Sequence, residues 1–197
     1  ECRKVKGALV NGTTGRRVKA ILPVHILGHP CDMDPIVEVA RNYGLQIIED
    51  ATESLGSRYR ENMVGQQGDV ACFSFNGNKL ITTGGGGMIV TDHPGWAQRA
   101  RYLTTQAKDD PVEFIHNEIG YNYRLSNIQA AIGVAQLEQI DQFIGSKQAI
   151  ARGYERGLND LEQLTLMPTQ PGTVPTYWLY TVLLNEGFHL AGRQKIM

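Results

Sequence analysis

A few residues in one stretch of the chain could do carbonyl chemistry. Lys79 follows an apolar run that carries Ser74, and Asp50 ends an earlier run. After the lysine come Thr82, Thr83 and a run of glycines, Gly84 to Gly87. A lysine amine attacks carbonyl carbons and forms a Schiff base. A carboxylate can hold a proton on a ring nitrogen, and a hydroxyl can donate to a phosphate. Consecutive glycines let a backbone approach a bound molecule closely, at an entropic cost. Each residue also has an ordinary reading. An isolated lysine is usually a solvated surface residue, an acid at a strand end is usually a cap or an ion-pair partner, and a serine there is often a turn residue. What separates the two readings is where the fold puts them.

The elements follow from pattern. Residues 18–24 (V-K-A-I-L-P-V) are apolar and read as a strand. The stretch from Asp34 reads as a helix, with Asp34 as N-cap, Pro35 at its first position and Gly44 just past its end. Ile36, Val39, Ala40 and Tyr43 recur at helical spacing and predict its core face. Residues 45–50 (L-Q-I-I-E-D) form the next strand, which completes a βαβ unit. Two more short strands are expected at 69–75 and 88–91, then a helix over 94–103 and an extended loop over 104–125. Ser126 caps a long helical stretch reaching about 160 and bent near Gly145, with Ile128, Ala131, Ile132, Ala135, Ile140, Phe143 and Ile144 on its core face. A Pro/Gly/Thr stretch at 168–176 reads as a connection, 178–184 as a new strand, and L-A-G-R-Q-K-I-M at the end as a helix.

The fold class is therefore α/β, with a mostly parallel sheet flanked by helices. In such sheets ligands sit beyond the carboxyl ends of the strands. Asp50, Ser74 and Lys79 then arrive at one edge, beside the glycines. That set suits pyridoxal phosphate, whose ring needs an acid at its nitrogen to act as an electron sink.

Composition narrows the alternatives. The chain has 197 residues, 42% hydrophobic and 20% charged, which excludes a disordered polymer. Nineteen Lys and Arg against 20 Asp and Glu give a net charge of -1, so nucleic acid or an anionic membrane has no electrostatic footing. No apolar run approaches the roughly 20 residues of a membrane helix. Cys2, Cys31 and Cys72 are odd in number and lack metal-ligand spacing, which predicts reduced thiols in a cytoplasmic protein. No signal-peptide pattern opens the sequence. His25, His29, His93, His116 and His189 are scattered and predict no metal site. There is no nucleophile elbow, no phosphate-binding P-loop and no dinucleotide fingerprint.

Four blocks carry a resemblance: P-V-H-I-L-G-H-P-C-D-M-D, I-E-D-A-T-E-S-L-G-S, G-D-V-A-C-F-S-F-N-G-N-K-L-I-T-T-G-G-G-G-M-I-V-T and G-Y-N-Y-R-L-S-N-I-Q-A-A-I-G. In this order they resemble the DegT–StrS family of pyridoxal-phosphate sugar aminotransferases, which have the aspartate-aminotransferase fold (fold type I). The resemblance implies that Lys79 is the Schiff-base lysine and Asp50 the acid at the pyridine nitrogen. It implies that Ser74 binds the cofactor phosphate, that Glu53 lies over the cofactor ring, and that Asn122 reaches the phosphate of the neighbouring subunit. Some relatives replace the lysine by histidine and act as dehydratases; Lys79 argues against that here.

The resemblance further implies a homodimer with shared active sites, an amino-acid donor expected to be glutamate, and a nucleotide-linked 4-keto-6-deoxy sugar as acceptor. A pyridoxal-phosphate enzyme acting on a keto sugar acid, or a non-catalytic regulator or scaffold of the same fold, are the alternatives. The family's amino-terminal phosphate loop and its ring-stacking aromatic find no counterpart here. The chain is thus expected to be a fragment of a longer one. Residues 1–167 would be part of the large cofactor-binding domain, and 168–197 a linker and the start of the small carboxyl-terminal domain.

Overall fold

The computed structural model describes residues 1–110 and 112–185. The helix expected at the carboxyl-terminal end lies outside the described residues. A hairpin opens the chain, β1 (Cys2–Val5) with β2 (Ala8–Asn11). The main sheet is built from β3 (Ala20–Ile21), β4 (Gln46–Asp50), β7 (Val70–Ser74) and β8 (Gly87–Val90), in that spatial order. β3 and β4 are joined through α1 (Met33–Tyr43). Between β4 and β7 lies a small hairpin, β5 (Arg58–Tyr59) with β6 (Asn62–Met63).

β3 pairs with β4 and β4 with β7 in parallel, as the βαβ reading requires, whereas β8 runs antiparallel to β7. Residues 75–86 between them form no crossover helix, and β8 returns directly alongside β7. The register sets Asp50 opposite Cys72 and Ser74 opposite Gly87.

The helices depart from the sequence expectation in instructive ways. The N-cap position of α1 is Asp32 rather than Asp34, with no side-chain capping bond, so Pro35 falls inside the first turn instead of at its first position. Gly44 does close it, its N–H bonding to the carbonyls of Ala40 and Arg41. The buried stripe is Met33, Ile36, Val37 and Ala40, which pack with Leu45, Ile47 and Tyr59. Val39 and Tyr43, expected inside, are exposed. Met33 decides the matter: at 1% exposure it is the anchor of the core, and its own helical repeat selects Val37 over Val39.

α2 (Pro94–Thr104) forms as expected. The long stretch after it is two helices, α3 (Asn127–Leu137) and α4 (Ile140–Leu158). Ser126 begins the first with a capping box, accepting from the Gln129 N–H while the Gln129 side chain accepts the Ser126 N–H. The break falls at Gln139, whose backbone is non-helical, and not at Gly145, which sits inside an intact α4. A lone glycine costs a helix about 1 kcal/mol and need not break it. Ile128 is 76% exposed and Ile132 is also exposed, so the apolar face of α3 points away from the described core.

β9 (Leu164–Leu166) follows, then β10 (Thr173–Val174) and β11 (Val182–Leu184). The stretch read as a connection is tied down: β10 adds to the edge of β5. The strand expected over 178–184 is confined to β11, which pairs antiparallel with β9.

One buried pair organises the centre. His25 and Glu49 are both fully buried, with His25 Nε2 3.0 Å from Glu49 Oε2. The Glu49 carboxylate also accepts the N–H groups of Gly65 (2.7 Å), Gln67 (2.9 Å) and Gly68 (2.5 Å). His25 Nδ1 accepts the Cys31 N–H at 3.0 Å, which leaves Nε2 to carry the proton given to Glu49. Burial works to push the Glu49 carboxyl up, but His25 and the amides of Gly65 and Gly68 outweigh it and hold it below the usual carboxylate range. The stability this supplies is complete above the ordinary value of 4.5 and is lost as the pH falls through the lowered folded-state value. Glu49→Gln is expected to cost about 3 kcal/mol at neutral pH and to flatten the acid limb of stability. Urea melts of both proteins from pH 7 down to 3 measure this; a variant that keeps the wild-type acid slope would rule out Glu49 as its source.

Candidate active site

The carboxyl ends of β4 and β7 deliver the polar residues. β4 ends at Asp50, whose backbone is held on both sides. Its N–H donates to the Pro23 carbonyl, its carbonyl accepts the His25 N–H, and Ala51 N–H reaches the Cys72 carbonyl on β7. Asp50 Oδ1 accepts the Thr52 hydroxyl at 2.8 Å and the Thr52 N–H at 3.2 Å. Among the described residues nothing hydrogen-bonds to Oδ2, which leaves one carboxylate oxygen for a further donor.

β7 ends at Ser74, whose Oγ accepts the Asn76 N–H at 3.3 Å and keeps its own proton to donate. A tight turn follows, closed by Lys79 N–H to the Asn76 carbonyl at 3.0 Å. The turn lifts Lys79 over the same edge. Its Nζ lies 3.7 Å from Glu53 Oε1 and 4.0 Å from the centre of the Trp178 ring, and its side chain is only 13% exposed. Glu53 is itself fixed, since its other oxygen accepts the Leu27 N–H at 2.7 Å. Lys79 is therefore no solvated surface lysine but a largely covered cation close to both a carboxylate and an aromatic ring.

Cys72 stands beside Asp50. Burial pushes its thiol up, and the Asp50 charge adds to this, so it stays protonated and is no nucleophile.

Ser74 and Asn122 line a common cleft of about 920 Å³ with Met88, Arg101 and Arg124. Two guanidinium groups at its wall suit an anion. Lys79 and Asp50 are not part of that lining. Asn122 sits where the loop after α2 bridges back to Thr105. Thus the structure gathers Asp50, Glu53, Ser74 and Lys79 at one sheet edge and sets Asn122 on the cleft that Ser74 also lines. Within the glycine run, Gly84 and Gly85 have open space around them, while Gly86 packs on Leu125 and Gly87 against the β7 backbone.

Trp178 is the site residue that sequence reasoning missed. It arrives from far along the chain through a clamp. The Thr176 N–H donates to the Gly28 carbonyl at 3.0 Å, and Ser57 Oγ donates to the same carbonyl at 2.8 Å. Ser57 Oγ also lies 3.0 Å from Thr176 Oγ1, and all three residues are buried. Gly28 has φ +86°, and a Cβ there would come within 2.5 Å of the Trp178 nitrogen. Only glycine fits.

The sequence matches the DegT/DnrJ/EryC1/StrS aminotransferase family over residues 3–197. The chain belongs to this family. It is 45% identical over 184 residues to GDP-perosamine synthase of Caulobacter vibrioides, covering 91% of this chain and 49% of that one. It is 39% identical over 175 residues to the dTDP-3-amino-3,4,6-trideoxy-alpha-D-glucose transaminase of Streptomyces venezuelae, covering 88% and 46%. Among solved structures, DesV of S. venezuelae in complex with a ketimine intermediate superposes with a TM-score of 0.82 at 37% identity, covering 91% of this chain and 48% of that one. The aminotransferase TlmJ from Streptoalloteichus hindustanus gives 0.83 at 30% identity, covering 90% and 49%. The chain thus spans about half the length of the relatives it matches. Its fold is that of the family's pyridoxal-phosphate aminotransferases, in agreement with the α/β class read from the strand and helix pattern.

The clamp gives a direct expectation. Gly28→Ala should cost at least about 2 kcal/mol, from strain at positive φ plus overpacking, and should loosen the segment that carries Trp178. Thermal melts and tryptophan emission measure the two effects; unchanged emission at lower stability would mean that Trp178 is held by other contacts.

Proposed function

We propose that this chain carries the amine, acid and phosphate contacts of a pyridoxal-phosphate-dependent aminotransferase acting on a nucleotide-linked 4-keto-6-deoxy sugar, with glutamate as the amino donor. The observation that carries the proposal is the placement of Lys79. A largely covered lysine stands at the carboxyl edge of the sheet, in the turn that follows Ser74 and beside the strand that ends in Asp50. The donor set fits the cofactor: one primary amine for its aldehyde, one carboxylate with a free oxygen for its ring nitrogen, and one hydroxyl for its phosphate.

Pyridoxal phosphate, when bound, supplies a ring that draws electrons from the donor carbon and stabilises the negative charge left there. The chain's own residues do the rest. Lys79 is the amine that would hold the cofactor at rest. With the cofactor bound, Lys79 would also be the base that moves a proton at the donor carbon and, in the opposite half-reaction, at the sugar carbon. Such a transfer needs a base that reaches two carbons, which a four-carbon stem allows. Asp50 holds the proton on the ring nitrogen. Glu53 keeps Lys79 at the edge and, lying beside it, would border the ring. Ser74 donates to the phosphate.

The acceptor class is supported by the relatives, whose names include a GDP-linked and a dTDP-linked sugar. A soluble cytoplasmic enzyme fits this chemistry; no described helix is long and apolar enough to cross a membrane.

Asn122 would serve the phosphate of a second copy. Support comes from the exposed apolar residues around it. Tyr123 is 72% exposed, and Ile119, Met88 and Ile128 are exposed as well. A surface patch of that kind marks an interface.

Two experiments test the proposal on the intact protein. Borohydride reduction in the presence of pyridoxal phosphate should place the label on Lys79 by peptide mapping, and Asp50→Asn should lower turnover by about 10² or more while the fold is kept. A label on Lys147, or near wild-type turnover in the Asp50 variant, would overturn the site. The shared site is checked by mixing inactive Asn122→Ala and Lys79→Ala proteins. Random exchange should restore activity to about a quarter of wild type, because one of the two sites in each heterodimer carries neither lesion. No recovery after verified exchange would mean that Asn122 does not serve a partner's site.

A further inference from the structure

We propose that Trp178 is a positioning residue for Lys79: its indole face holds the free ammonium against Glu53 and sets where the amine waits between transfers. The proposal rests on the reading of Lys79 as the reacting amine.

Three observations carry it. The Lys79 Nζ stands 4.0 Å from the centre of the indole, with Glu53 Oε1 3.7 Å away. The indole Nε1–H donates to the carbonyl of Asn78 at 2.7 Å. The Trp178 carbonyl accepts from Lys147 Nζ at 3.0 Å, which ties its backbone to α4. The second contact is the telling one. Asn78 is the residue before Lys79, so the ring is pinned to the lysine's own backbone. Ring and ammonium cannot drift apart independently. Trp178 is 8% exposed, so the attraction acts in a desolvated place, where a cation over an indole face is strongest.

The geometry answers a need of the chemistry. A freed lysine side chain has several rotamers, and each transfer requires it to return to one of them. A carboxylate alone fixes distance but not direction. A flat ring within 4.0 Å adds a second contact that narrows where the amine rests. Phenylalanine could offer a face but no N–H to the Asn78 carbonyl, which explains why an indole suits this position.

The test separates this role from mere packing. Lys79 in cofactor-free protein is methylated with formaldehyde and cyanoborohydride, and its rate is followed by peptide mass. Trp178→Leu should raise that rate about fivefold, because the amine is both uncovered and less held, and Trp178→Phe, which keeps a ring face but loses the N–H to the Asn78 carbonyl, should raise it about threefold. With cofactor bound, the rate at which L-glutamate bleaches the visible band should fall about tenfold in Trp178→Leu at an unchanged half-saturating glutamate concentration, and Trp178→Phe should recover only part of it. Trp178→Met fills the same space flexibly and serves if the leucine variant folds poorly. Unchanged Lys79 methylation in the leucine or methionine variant overturns the proposal. So does faster methylation with an unchanged glutamate step, since the ring would then only shield. Borohydride capture of pyridoxal phosphate on another lysine of the wild type would instead strike the underlying cofactor reading and take the positioning role down with it, whereas capture on Lys79 with the methylation and glutamate results above confirms both.

Discussion

The buried carboxylate of Glu49 is the constraint on which the site depends. A charge with almost no exposure is tolerable only when nearly every lone pair is met. Here an imidazole and three backbone amides meet it. Those donors come from two loops that have no other reason to converge, the one that begins at His25 and the Gly65–Gly68 turn. Glu49 therefore fixes how both loops sit on β4. It also fixes Asp50. Neighbouring residues on a strand point to opposite faces, and a slip of one residue would exchange them. With Glu49 locked inward, Asp50 has only the other face, where its free oxygen is available. The acid of the site is oriented by the acid beside it.

From His25 the constraint passes outward. The Ser54 hydroxyl donates to the His25 carbonyl at 2.6 Å, and Gly28, three residues on, receives both Ser57 and Thr176. Leu27, between them, gives its N–H to Glu53. A single loop thus holds Glu53 from one side and the segment bearing Trp178 from the other, and Lys79 stands where the two meet. None of these hydrogen bonds is worth more than a few kcal/mol alone. Their effect is geometric: they leave the lysine one slot. Burial of the surrounding hydroxyls makes each bond costly to leave unmade, so the loop is not free to slide.

The edge at which the chemistry collects was legible in the sequence, because it follows from local rules. Short apolar runs ending in Asp50 and Ser74, a helix between strands and a turn before Lys79 are all signals within a few residues of each other. Ser126 as a helix cap was legible for the same reason; its partner Gln129 was not read. What escaped were effects that act across the chain. The face of α1 was misjudged because periodicity alone cannot tell which of two overlapping stripes meets the core; Met33 settles it through contacts with Leu45 and Tyr59. The break between α3 and α4 has no glycine or proline to mark it. β10 is two residues long and exists only because β5 offers an edge. Trp178 reads as one aromatic in an apolar run, and nothing near it in sequence points to a lysine a hundred residues earlier. The G-Q-Q-G turn was a readable cue for an anion held by backbone amides, and it matches the Glu49 carboxylate.

The distribution of exposed apolar surface completes the physical argument. α1 turns Met33 and Ala40 inward. α3 does the opposite: its start is firmly capped, its sequence is strongly apolar, and yet Ile128, Ile132, Val134 and Leu137 are exposed. A helix so well specified at its end is not marginal, so the exposure is a property of its surface rather than of a poorly formed element. Met88 and Ile89 on β8 and Tyr123 on the loop that carries Asn122 share that character, and the cleft with Ser74 on its wall lies among them. Ser74 belongs to the sheet, which the Glu49 knot holds; Asn122 belongs to a loop tied to the end of α2 by the Tyr121 N–H to the Leu103 carbonyl, the Tyr123 N–H to the Thr104 carbonyl and the Arg99–Glu118 ion pair. Covering the apolar residues around that loop would take these ties out of water and strengthen them. The two halves of the polar machinery thus differ in what holds them: one is set by a buried charge inside the chain, the other by hydrogen bonds at its surface beside the exposed apolar face of α3.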